Sequence, residues 1–324
     1  MSKNDLVVVT GAGGFIGGHL VKVLQQRGHT KIRAVDVKPL EEWYQKIPGV
    51  ENQVGDLAQL EPCRKAAKGA AMIYNLAADM GGMGFIETHK AECMLSVLVS
   101  THMLVAAKEA GVPRFFYSSS ACVYNGDKQT DANVTALKEE DAYPALPEDG
   151  YGWEKLFSER MARHYREDYG IATRVARYHN VYGPEGTYDG GREKAPAAMC
   201  RKVAMAKDGA EIEIWGDGLQ TRSFLYIDEC LDGVLRLTRS SFAGPVNIGS
   251  DEMVTINQLA DVVADIAGKR IVRKNIPGPT GVRGRNSENS LIHEKLGWRP
   301  TQPLRAGLEQ TYSWIERQVM RNAA

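Results

Sequence analysis

Cysteine is scarce in this sequence, and its five cysteines are far apart with no CxxC pair. An odd number of widely spaced cysteines argues against a disulfide framework and against a zinc site, and it fits a reducing cytoplasm. The N-terminal residues do not have the layout of a signal peptide, and no apolar run approaches the roughly 20 residues that span a bilayer. We therefore expect a cytoplasmic protein with no metal ion and no membrane partner.

A surplus of charge is absent as well, because Lys and Arg total 40 and Asp and Glu also total 40. A general nucleic-acid binder needs a basic surplus, so this balance argues against a nucleic-acid partner. Hydrophobic residues make up 43% of the chain, as in an ordinary globular protein. The length of 324 residues suits one large α/β unit or two closely joined domains.

Short apolar runs alternate with helical patterns along the chain. The patterns predict strands at 6–10, 32–36, 70–77, 114–120, 172–178 and 246–250, and helices at 14–26, 87–110 and 151–169. Such alternation implies βαβ crossovers and therefore an α/β fold with a Rossmann-like doubly wound parallel sheet. We assign residues 1–183 plus 220–249 to the sheet domain, and 184–219 plus 250–324 to a smaller mixed α/β lobe.

The first predicted strand runs into the glycine-rich sequence TGAGGFIG (10–17) and then into a helix. Glycines permit a tight turn and a close approach of a pyrophosphate, and the helix N-terminus offers unpaired N–H groups to phosphates. Asp36 ends the second strand, where a carboxylate accepts hydrogen bonds from the ribose of NAD and repels the 2′-phosphate of NADP. The predicted NAD contacts are Gly11, Gly13, Gly14, Phe15, Ile16, Gly17, Asp36, Asp56, Leu57, Ala77, Tyr151 and Lys155.

A serine, a tyrosine and a lysine form a second motif. Ser120 ends a predicted strand, and Tyr151 and Lys155 share one face of a predicted helix. An ammonium near a phenol lowers the pKa of the phenol, so Tyr151 is a candidate general base for a sugar hydroxyl. Ser120 would orient that hydroxyl. A chance tyrosine–lysine pair on a surface helix is the alternative, but the glycine loop upstream favours a redox site.

Together these motifs resemble the extended short-chain dehydrogenase/reductase family, whose members mostly modify nucleotide sugars. The resemblance covers nearly the whole chain and includes SSSACVY (118–124), YGWEK (151–155), RYHNVYGP (177–184) and GDGLQTRSFLYIDE (216–229). It implies that the smaller lobe binds a sugar nucleotide, with Arg222 at the diphosphate. It also implies a homodimer, for which the helices at 87–110 and 151–169 are candidates. The polar, Pro-rich residues 125–148 depart from the family pattern, and we expect them to form a loop near the mouth of the site.

Two further residues have acid–base chemistry that a simple hydride transfer at C4 does not need. Cys122 lies two residues after Ser120, so a continuing strand would turn both side chains toward the substrate, where a thiolate takes a proton from carbon. Lys194 lies before a predicted helix whose first residue is Pro196, and the positive helix end would favour a neutral amine. A buried structural cysteine and a solvated lysine are the alternatives.

The sequences around these residues resemble family members that invert C3 and C5 of a GDP-linked hexose. These sequences are AADMGGMGFI (77–86), GGREKAPAA (190–198), WGDGLQTRSF (215–224) and GVRGRNS (281–287). The resemblance implies a GDP-hexose substrate and tightly bound, recycled NAD. It assigns Cys122 and Lys194 to acid–base catalysis at C5 and C3.

The resemblance also implies a set of substrate contacts. They are Gly81, Gly82, Met83, Gly84, Ser119, Ser120, Cys122, Asn180, Lys194, Lys202, Gln220, Arg222, Arg283 and Arg285. A 4-epimerase or a 4,6-dehydratase would share the redox residues, so both stay open as alternatives. A non-catalytic sensor of NAD is a third alternative, but it has no use for the Ser120, Tyr151 and Lys155 set.

Overall fold

A computed structural model describes residues 2–323 of the chain. Its strands are β1 (Val7–Thr10), β2 (Ile32–Asp36), β3 (Glu51–Val54), β4 (Met72–Asn75), β5 (Arg114–Ser120), β6 (Ala172–Tyr178), β7 (Val181–Tyr182), β8 (Ala210–Trp215), β9 (Thr221–Ser223), β10 (Leu225–Tyr226), β11 (Val246–Ile248), β12 (Met253–Thr255), β13 (Ile271–Ile276) and β14 (Gly284–Arg285). Its α-helices are α1 (Phe15–Gln26), α2 (Leu60–Ala67), α3 (Met83–Thr88), α4 (Lys90–Glu109), α5 (Asp149–Tyr169), α6 (Ala195–Met205), α7 (Ile227–Arg239), α8 (Ile256–Ile266), α9 (Ser290–Leu296) and α10 (Leu304–Ala323).

Seven strands form a central parallel sheet in the order β11-β6-β5-β4-β1-β2-β3. The middle strands β1 and β4 are buried along their whole length, as expected where helices cover both faces of a sheet. The predicted Rossmann-like doubly wound fold is therefore confirmed. The strand order reverses beside β1, and such sheets bind ligands in the crevice outside the carboxyl ends of the strands at that point.

The sheet domain differs from the prediction in several parts, two of which are the helices α2 and α7, which were not predicted. The edge strand β3 was not predicted, because its sequence ENQV has no apolar residue before Val54 and its side chains are partly or fully exposed. Backbone pairing with β2 and an ion pair between Arg33 and Glu51 at 2.9 Å hold it in the sheet. The single helix predicted at 87–110 is divided at His89 into α3 and α4, since His89 leaves the helical conformation.

The smaller lobe, as far as the structure describes it, is built from short sheets and the helices α6, α8, α9 and α10. β8 pairs with β13, and β9 lies between β12 and β14, while α6, α8 and α10 pack against one another. Residues 220–249, which we assigned to the sheet domain, contribute β9 to the lobe and β11 to the central sheet. The chain therefore crosses between the two units within this segment.

The two units share one hydrophobic core. The cluster that contains Val7 and Leu20 on the sheet side continues through Leu231 to Leu259 and Leu308 in the lobe. A second cluster covers the opposite face of the sheet beneath α2, α4 and α5. Because the first cluster spans both units, it holds the lobe against the carboxyl edge of the sheet, near the point where the strand order reverses.

The helix α4 corrects one expectation from the sequence. By length and composition alone, it is apolar enough to cross a membrane, whereas we expected no such segment. Its inward residues, including Ser100, Met103 and Leu104, are buried in the core. Its outward residues Met94 and Leu95 are exposed.

Candidate active site

A cleft of about 1210 Å³ lies between the carboxyl edge of the central sheet and the smaller lobe. Every predicted NAD and substrate contact lines this cleft except Gly13 and Arg283. Residues from the whole length of the chain therefore meet in one place, with the glycine-rich loop at one end and Arg222 and Arg285 at the other.

The glycine-rich loop joins β1 to α1 at the cofactor end of the cleft. Gly11 has a φ of +70°, a backbone conformation that residues other than glycine rarely adopt. A Cβ on Gly17 would lie 2.1 Å from the carbonyl oxygen of Gly11, so only glycine lets α1 begin this close to the strand. Gly14 precedes α1 without a side-chain cap, which leaves the first N–H groups of the helix available for a pyrophosphate.

Asp36 at the end of β2 holds the same loop. Its carboxylate accepts hydrogen bonds from the N–H of Gly13 at 2.9 Å and of Lys38 at 3.0 Å. Gly13 thus supports the site from behind rather than lining it. Asp56 lies exposed at the rim, where its carboxylate accepts a hydrogen bond from Ala58 N–H at 2.9 Å. This uncapped helix end with two acidic groups fits a dinucleotide whose ribose carries no 2′-phosphate.

Ser120, Tyr151 and Lys155 lie on one wall of the cleft, as predicted. Ser120 is the last residue of β5, and Tyr151 and Lys155 are in the first two turns of α5. The Nζ atom of Lys155 lies 5.4 Å from the ring centre of Tyr151. It also lies 3.1 Å from the Oε1 atom of Glu154, a carboxylate that the sequence analysis did not consider.

The expected lowering of the Tyr151 pKa is wrong for the protein by itself. Burial raises the pKa of Tyr151 well above its ordinary value, the nearby Cys122 and Glu154 raise it further, and a hydrogen bond with Ser120 opposes them. Glu154 lies against the ammonium of Lys155 and offsets its charge. Tyr151 is therefore a protonated phenol in the protein by itself.

Cys122 reaches the cleft by a different route from the predicted one. β5 ends at Ser120, and 121–123 form a 3₁₀ turn in which Ser120 Oγ accepts a hydrogen bond from Cys122 N–H at 3.2 Å. The alternation of a strand is therefore not what directs this side chain. Burial and the neighbouring Glu148 raise the pKa of Cys122 to about 11, against the opposing effect of Arg285. The resting group is a thiol rather than the expected thiolate.

Lys194 is the residue before the first turn of α6, makes no side-chain capping hydrogen bond, and lines the cleft. The helix begins at Ala195, so Pro196 is its second residue and not its first. Burial lowers the pKa of Lys194, while Cys122 and Cys230 oppose the shift. The direction agrees with the prediction, but burial is the leading cause rather than the helix dipole. A lysine with a lowered pKa is suited to accept and return a proton.

Besides Glu154, two residues of the site were not predicted, Gln129 and Glu148, and both belong to the loop at 125–148. Arg285 donates hydrogen bonds to Gln129 Oε1 at 2.7 Å and to Glu148 Oε2 at 2.7 Å. The remaining guanidinium nitrogen lies 3.6 Å from the Sγ atom of Cys122. Burial would raise the pKa of Glu148, but Arg285 outweighs burial and the pKa is lowered. The loop therefore holds a buried guanidinium against the thiol.

Arg222 provides a second buried guanidinium at the substrate end. Its hydrogen bonds go to the backbone carbonyls of Thr221 at 2.8 Å and Thr280 at 3.0 Å. Burial and the charge of Arg285 lower the pKa of Arg222 to about 10. The Oε1 atom of Gln220 is also buried and has no hydrogen-bond partner among the described residues. Two buried guanidiniums are suited to a diphosphate, and the free amide oxygen of Gln220 can accept a hydrogen bond from a ligand hydroxyl or N–H.

The glycine segment 81–84 joins the sheet domain to the lobe. A Cβ on Gly82 would lie 2.3 Å from the carbonyl oxygen of Glu193, and a Cβ on Gly84 would lie 3.0 Å from the ring of Trp215. The absence of side chains thus lets this segment pack against the residues that lead into Lys194.

Asn180 and Lys202 line the cleft with hydrogen bonds to backbone carbonyls. Asn180 has a φ of 43° and its Nδ2 donates to the carbonyl of Ser223 at 2.9 Å. Lys202 Nζ donates to the carbonyl of Glu213 at 2.7 Å, and burial lowers its pKa. Both side chains retain further donor capacity toward a ligand.

The structure does not support two of the predicted substrate contacts as side-chain ligands. Ser119 Oγ donates to the buried carboxylate of Glu159 at 2.5 Å and so is directed into the core. Arg283 lies outside the cleft and forms an exposed ion pair with Asp217 at 2.8 Å. In GVRGR the two arginines alternate along the backbone, and only Arg285 is directed inward.

Comparison with known proteins agrees with this architecture. The NAD dependent epimerase/dehydratase family matches residues 7–249. The GDP-mannose 3,5-epimerase of Arabidopsis thaliana is 50% identical over 324 residues, which are 100% of this chain and 85% of that protein. GDP-mannose 3,5-epimerase 1 of Oryza sativa subsp. japonica is 52% identical over 319 residues, or 98% of this chain and 83% of that protein.

A solved structure is similar over nearly the same length. The UDP-glucuronic acid 4-epimerase of Bacillus cereus, in complex with UDP-glucuronic acid and NAD, is 25% identical with a TM-score of 0.83. The match covers 96% of this chain and 99% of that one. These findings confirm the family predicted from the glycine loop and the Ser120, Tyr151 and Lys155 set. The chain belongs to the NAD dependent epimerase/dehydratase family, within the extended short-chain dehydrogenases/reductases.

Proposed function

We propose that this protein inverts C3 and C5 of GDP-D-mannose to give GDP-L-galactose, with GDP-L-gulose as the product of inversion at C5 alone. The observation that carries the proposal is that Cys122 and Lys194 line the same cleft as Tyr151 and Lys155. Two relatives that are GDP-mannose 3,5-epimerases, at 50% and 52% identity over almost the whole chain, support it.

The cofactor end of the cleft is suited to NAD, which when bound accepts the hydride of C4 and returns it to the same carbon. Gly11, Gly14 and Gly17 shape the loop for the pyrophosphate, and Asp36 faces the ribose. Because the hydride returns, the protein has no need to release the cofactor in each cycle. We therefore expect NAD to remain bound through purification.

At C4, Tyr151 in its phenolate form would take the hydroxyl proton and, as the resulting phenol, later give it back. Ser120 orients the hydroxyl. Lys155 lies one turn further along α5 than Tyr151 and helps to hold the hydroxyl in place. Since burial raises the pKa of Tyr151 in the protein alone, the phenol first gives its own proton to solvent, a loss that the positive charge of bound NAD would favour. The proton and the hydride leave together and return together, so the sugar shows no net oxidation.

A ketone at C4 makes the protons on C5 and C3 acidic, and two groups exchange them. Lys194 has a lowered pKa and serves as a base in its neutral form. Cys122 is a thiol at rest and serves as the complementary acid. Arg285 lies 3.6 Å from its sulfur and stabilises the thiolate after the proton has left. Exchange of roles between the two groups returns each to its initial state.

The diphosphate of the substrate binds at the other end of the cleft. Arg222 contributes a guanidinium whose present hydrogen bonds go to carbonyls alone, and Gln220 contributes its free amide oxygen to a ligand hydroxyl or N–H. This placement sets the hexose between the diphosphate site and Tyr151, beside the glycine segment 81–84.

Product identification tests the proposal. Purified protein is incubated with GDP-mannose, and the products are resolved by NMR. GDP-L-galactose with a smaller amount of GDP-L-gulose is the expected result. A product inverted at C4 alone, or a 4-keto-6-deoxy sugar, would instead identify a 4-epimerase or a 4,6-dehydratase and contradict the proposal.

We also propose that the protein is a homodimer formed through α4 and α5. These neighbouring helices leave Met94, Leu95, Trp153 and Phe157 exposed, an apolar surface that a second copy would cover. Analytical ultracentrifugation should give the mass of a dimer, and the Leu95→Asp variant should give a folded monomer. A wild-type monomer at micromolar concentration would contradict this proposal.

A further inference from the structure

Glu154 is a buried carboxylate next to the redox residues, and it takes no part in the proton transfers proposed for C3, C4 and C5. Its side chain is 0% exposed, and that of the adjacent Lys155 is 2% exposed. Its Oε2 atom accepts hydrogen bonds from Tyr117 OH at 3.2 Å and from Ser158 Oγ at 3.1 Å. Its Oε1 atom has no hydrogen-bond partner among the described residues and lies 3.1 Å from the ammonium of Lys155.

The burial of this ion pair has a consequence for the charge of the site. A buried carboxylate is costly unless a cation compensates it, and replacing such a pair by neutral groups is often not destabilising. A contribution to stability is therefore a weak explanation for a carboxylate at this position. Together with Lys155, however, it makes a pair with no net charge. The ammonium then cannot act on Tyr151 as an uncompensated cation.

We propose that Glu154 is a positioning residue whose carboxylate cancels the charge of Lys155 and thereby keeps the proton on Tyr151 until substrate and cofactor fill the cleft. The inference deepens the proposed function, and it rests on the assignment of Tyr151 to proton transfer at C4. An enzyme that must re-reduce its own ketone benefits from a phenol that readily regains its proton. A permanently stabilised phenolate would favour the ketone and its loss from the cleft.

Other groups around Tyr151 are few, which makes the effect of Glu154 measurable. The neighbours from α3 are the apolar Phe85 and Ile86, and α4 contributes the thiol of Cys93. Cys122 lies on the turn after β5 with Glu148 and Arg285 beyond it, and β5 contributes Tyr117, whose ring lies 5.0 Å from Lys155 Nζ. Of the charged groups, Glu154 and Lys155 are on the helix of Tyr151 itself, and they form the pair to be varied.

A double-mutant cycle on the ion pair tests the inference without substrate. 3,5-Difluorotyrosine is placed at position 151, because its phenol is more acidic and titrates while the protein is folded, and ¹⁹F NMR follows its ionisation. In Glu154→Gln the midpoint should fall by about 1 to 2 pH units, because the charge of Lys155 is no longer cancelled. In Lys155→Met it should rise. In the double variant it should return to within about 0.5 pH unit of the wild-type midpoint.

Tyr117→Phe is the matched control, because it removes a hydrogen bond from Glu154 but leaves its charge and the aromatic ring in place. Its midpoint should stay within about 0.5 pH unit of wild type. An equal shift in Tyr117→Phe and Glu154→Gln, or an unchanged midpoint in Glu154→Gln, would overturn the inference. If Glu154→Gln does not fold, Lys155→Met is compared with the double variant, and the charge of Glu154 must then still raise the midpoint.

A second readout connects the residue to the reaction. During turnover of GDP-mannose, absorbance at 340 nm reports the share of the cofactor held as NADH. Glu154→Gln should raise this share several-fold over wild type, and Tyr117→Phe should not. If the protein does not turn over GDP-mannose, the proposed function fails, but the ¹⁹F titration still decides whether Glu154 controls the proton of Tyr151.

Discussion

The two ends of the cleft are built in different ways. At the cofactor end, contacts come from the backbone of a few consecutive residues, and Asp36 acts mainly by accepting hydrogen bonds from that backbone. At the substrate end, the working groups are buried side chains from distant segments. Arg285, for example, bonds to a residue 137 positions away and to another 156 positions away.

The cofactor end therefore depends on shape, and the substrate end depends on charge. The cofactor end depends on the absence of side chains, so its weakness is steric. The substrate end concentrates Arg222, Arg285, Lys194 and Cys122, and burial shifts the pKa of Lys194 down and that of Cys122 up. Its weakness is electrostatic, because each charge depends on the others for compensation. Variants at the two ends should therefore fail in different ways.

The largest effect is expected from the loss of an acid–base group at the substrate end. Cys122→Ala and Lys194→Met should each lower the rate of epimerisation about 10³-fold, since a positioned proton-transfer group contributes roughly 10² to 10⁴. Bound NAD, measured by absorbance after denaturation, should be unchanged in both. Lys202→Met is the comparison, because Lys202 is a predicted substrate contact without a proposed proton transfer, so its loss should raise KM and leave kcat within about tenfold of wild type. A Cys122→Ala variant that keeps full epimerisation would remove its proposed role.

Loss of Arg285 should mainly destabilise the fold around the substrate end. Arg285→Met leaves Glu148 buried without its partner, and we expect a loss of about 3 kcal/mol in the free energy of unfolding. The double variant Glu148→Gln with Arg285→Met should recover more than half of that loss, because no uncompensated charge remains. Urea denaturation measures both. Equal losses in the single and double variants would show that packing, and not charge, determines this contribution.

At the cofactor end, a single methyl group should be enough to disrupt the loop. Gly17→Ala places a Cβ 2.1 Å from a backbone oxygen that cannot move aside, so we expect a loss of about 2 kcal/mol in stability and weaker NAD binding. Gly18→Ala is the matched control, because Gly18 is on the same helix outside the cleft and its nearest contact would be 3.2 Å. Calorimetric titration of the cofactor-free protein with NAD compares the two. Similar NAD affinity in both variants would contradict the steric account.

The smallest effect concerns stability and pH. Burial lowers the pKa of Lys194 in the folded chain, so the unfolded chain binds more protons and wild-type stability should rise with pH up to the ordinary pKa of lysine. Lys194→Met avoids the cost of a buried ammonium and should have a Tm about 2 °C above wild type at pH 7. The gap should close as the pH approaches 10. A gap that stays constant with pH would show that the amine carries no such cost.

The same difference explains what could be predicted from the sequence. Asp36 and the Ser120, Tyr151 and Lys155 set were predicted because their spacing along one strand or one helix defines their geometry. Cys122 was predicted to face the cleft for the wrong reason, since a 3₁₀ turn rather than the strand directs it.

Residues that act by compensating a charge leave no local pattern, and these were missed. Glu148 and Gln129 are recognisable only once Arg285 is beside them. Glu154 is next to Lys155 in sequence on α5, but one hydrogen bond that it accepts comes from Tyr117 on β5. Sequence patterns therefore predicted the fold and the cofactor end well, and they predicted the charge balance of the substrate end poorly.

The central claim is that oxidation at C4 serves to exchange protons at C5 and C3. The most direct test is to incubate the purified protein with GDP-mannose in D₂O and to locate deuterium in the sugar by NMR. The account predicts deuterium at C5 and C3 and none at C4, because the hydride that leaves C4 returns to it. Product without deuterium at C5 and C3 would contradict the account.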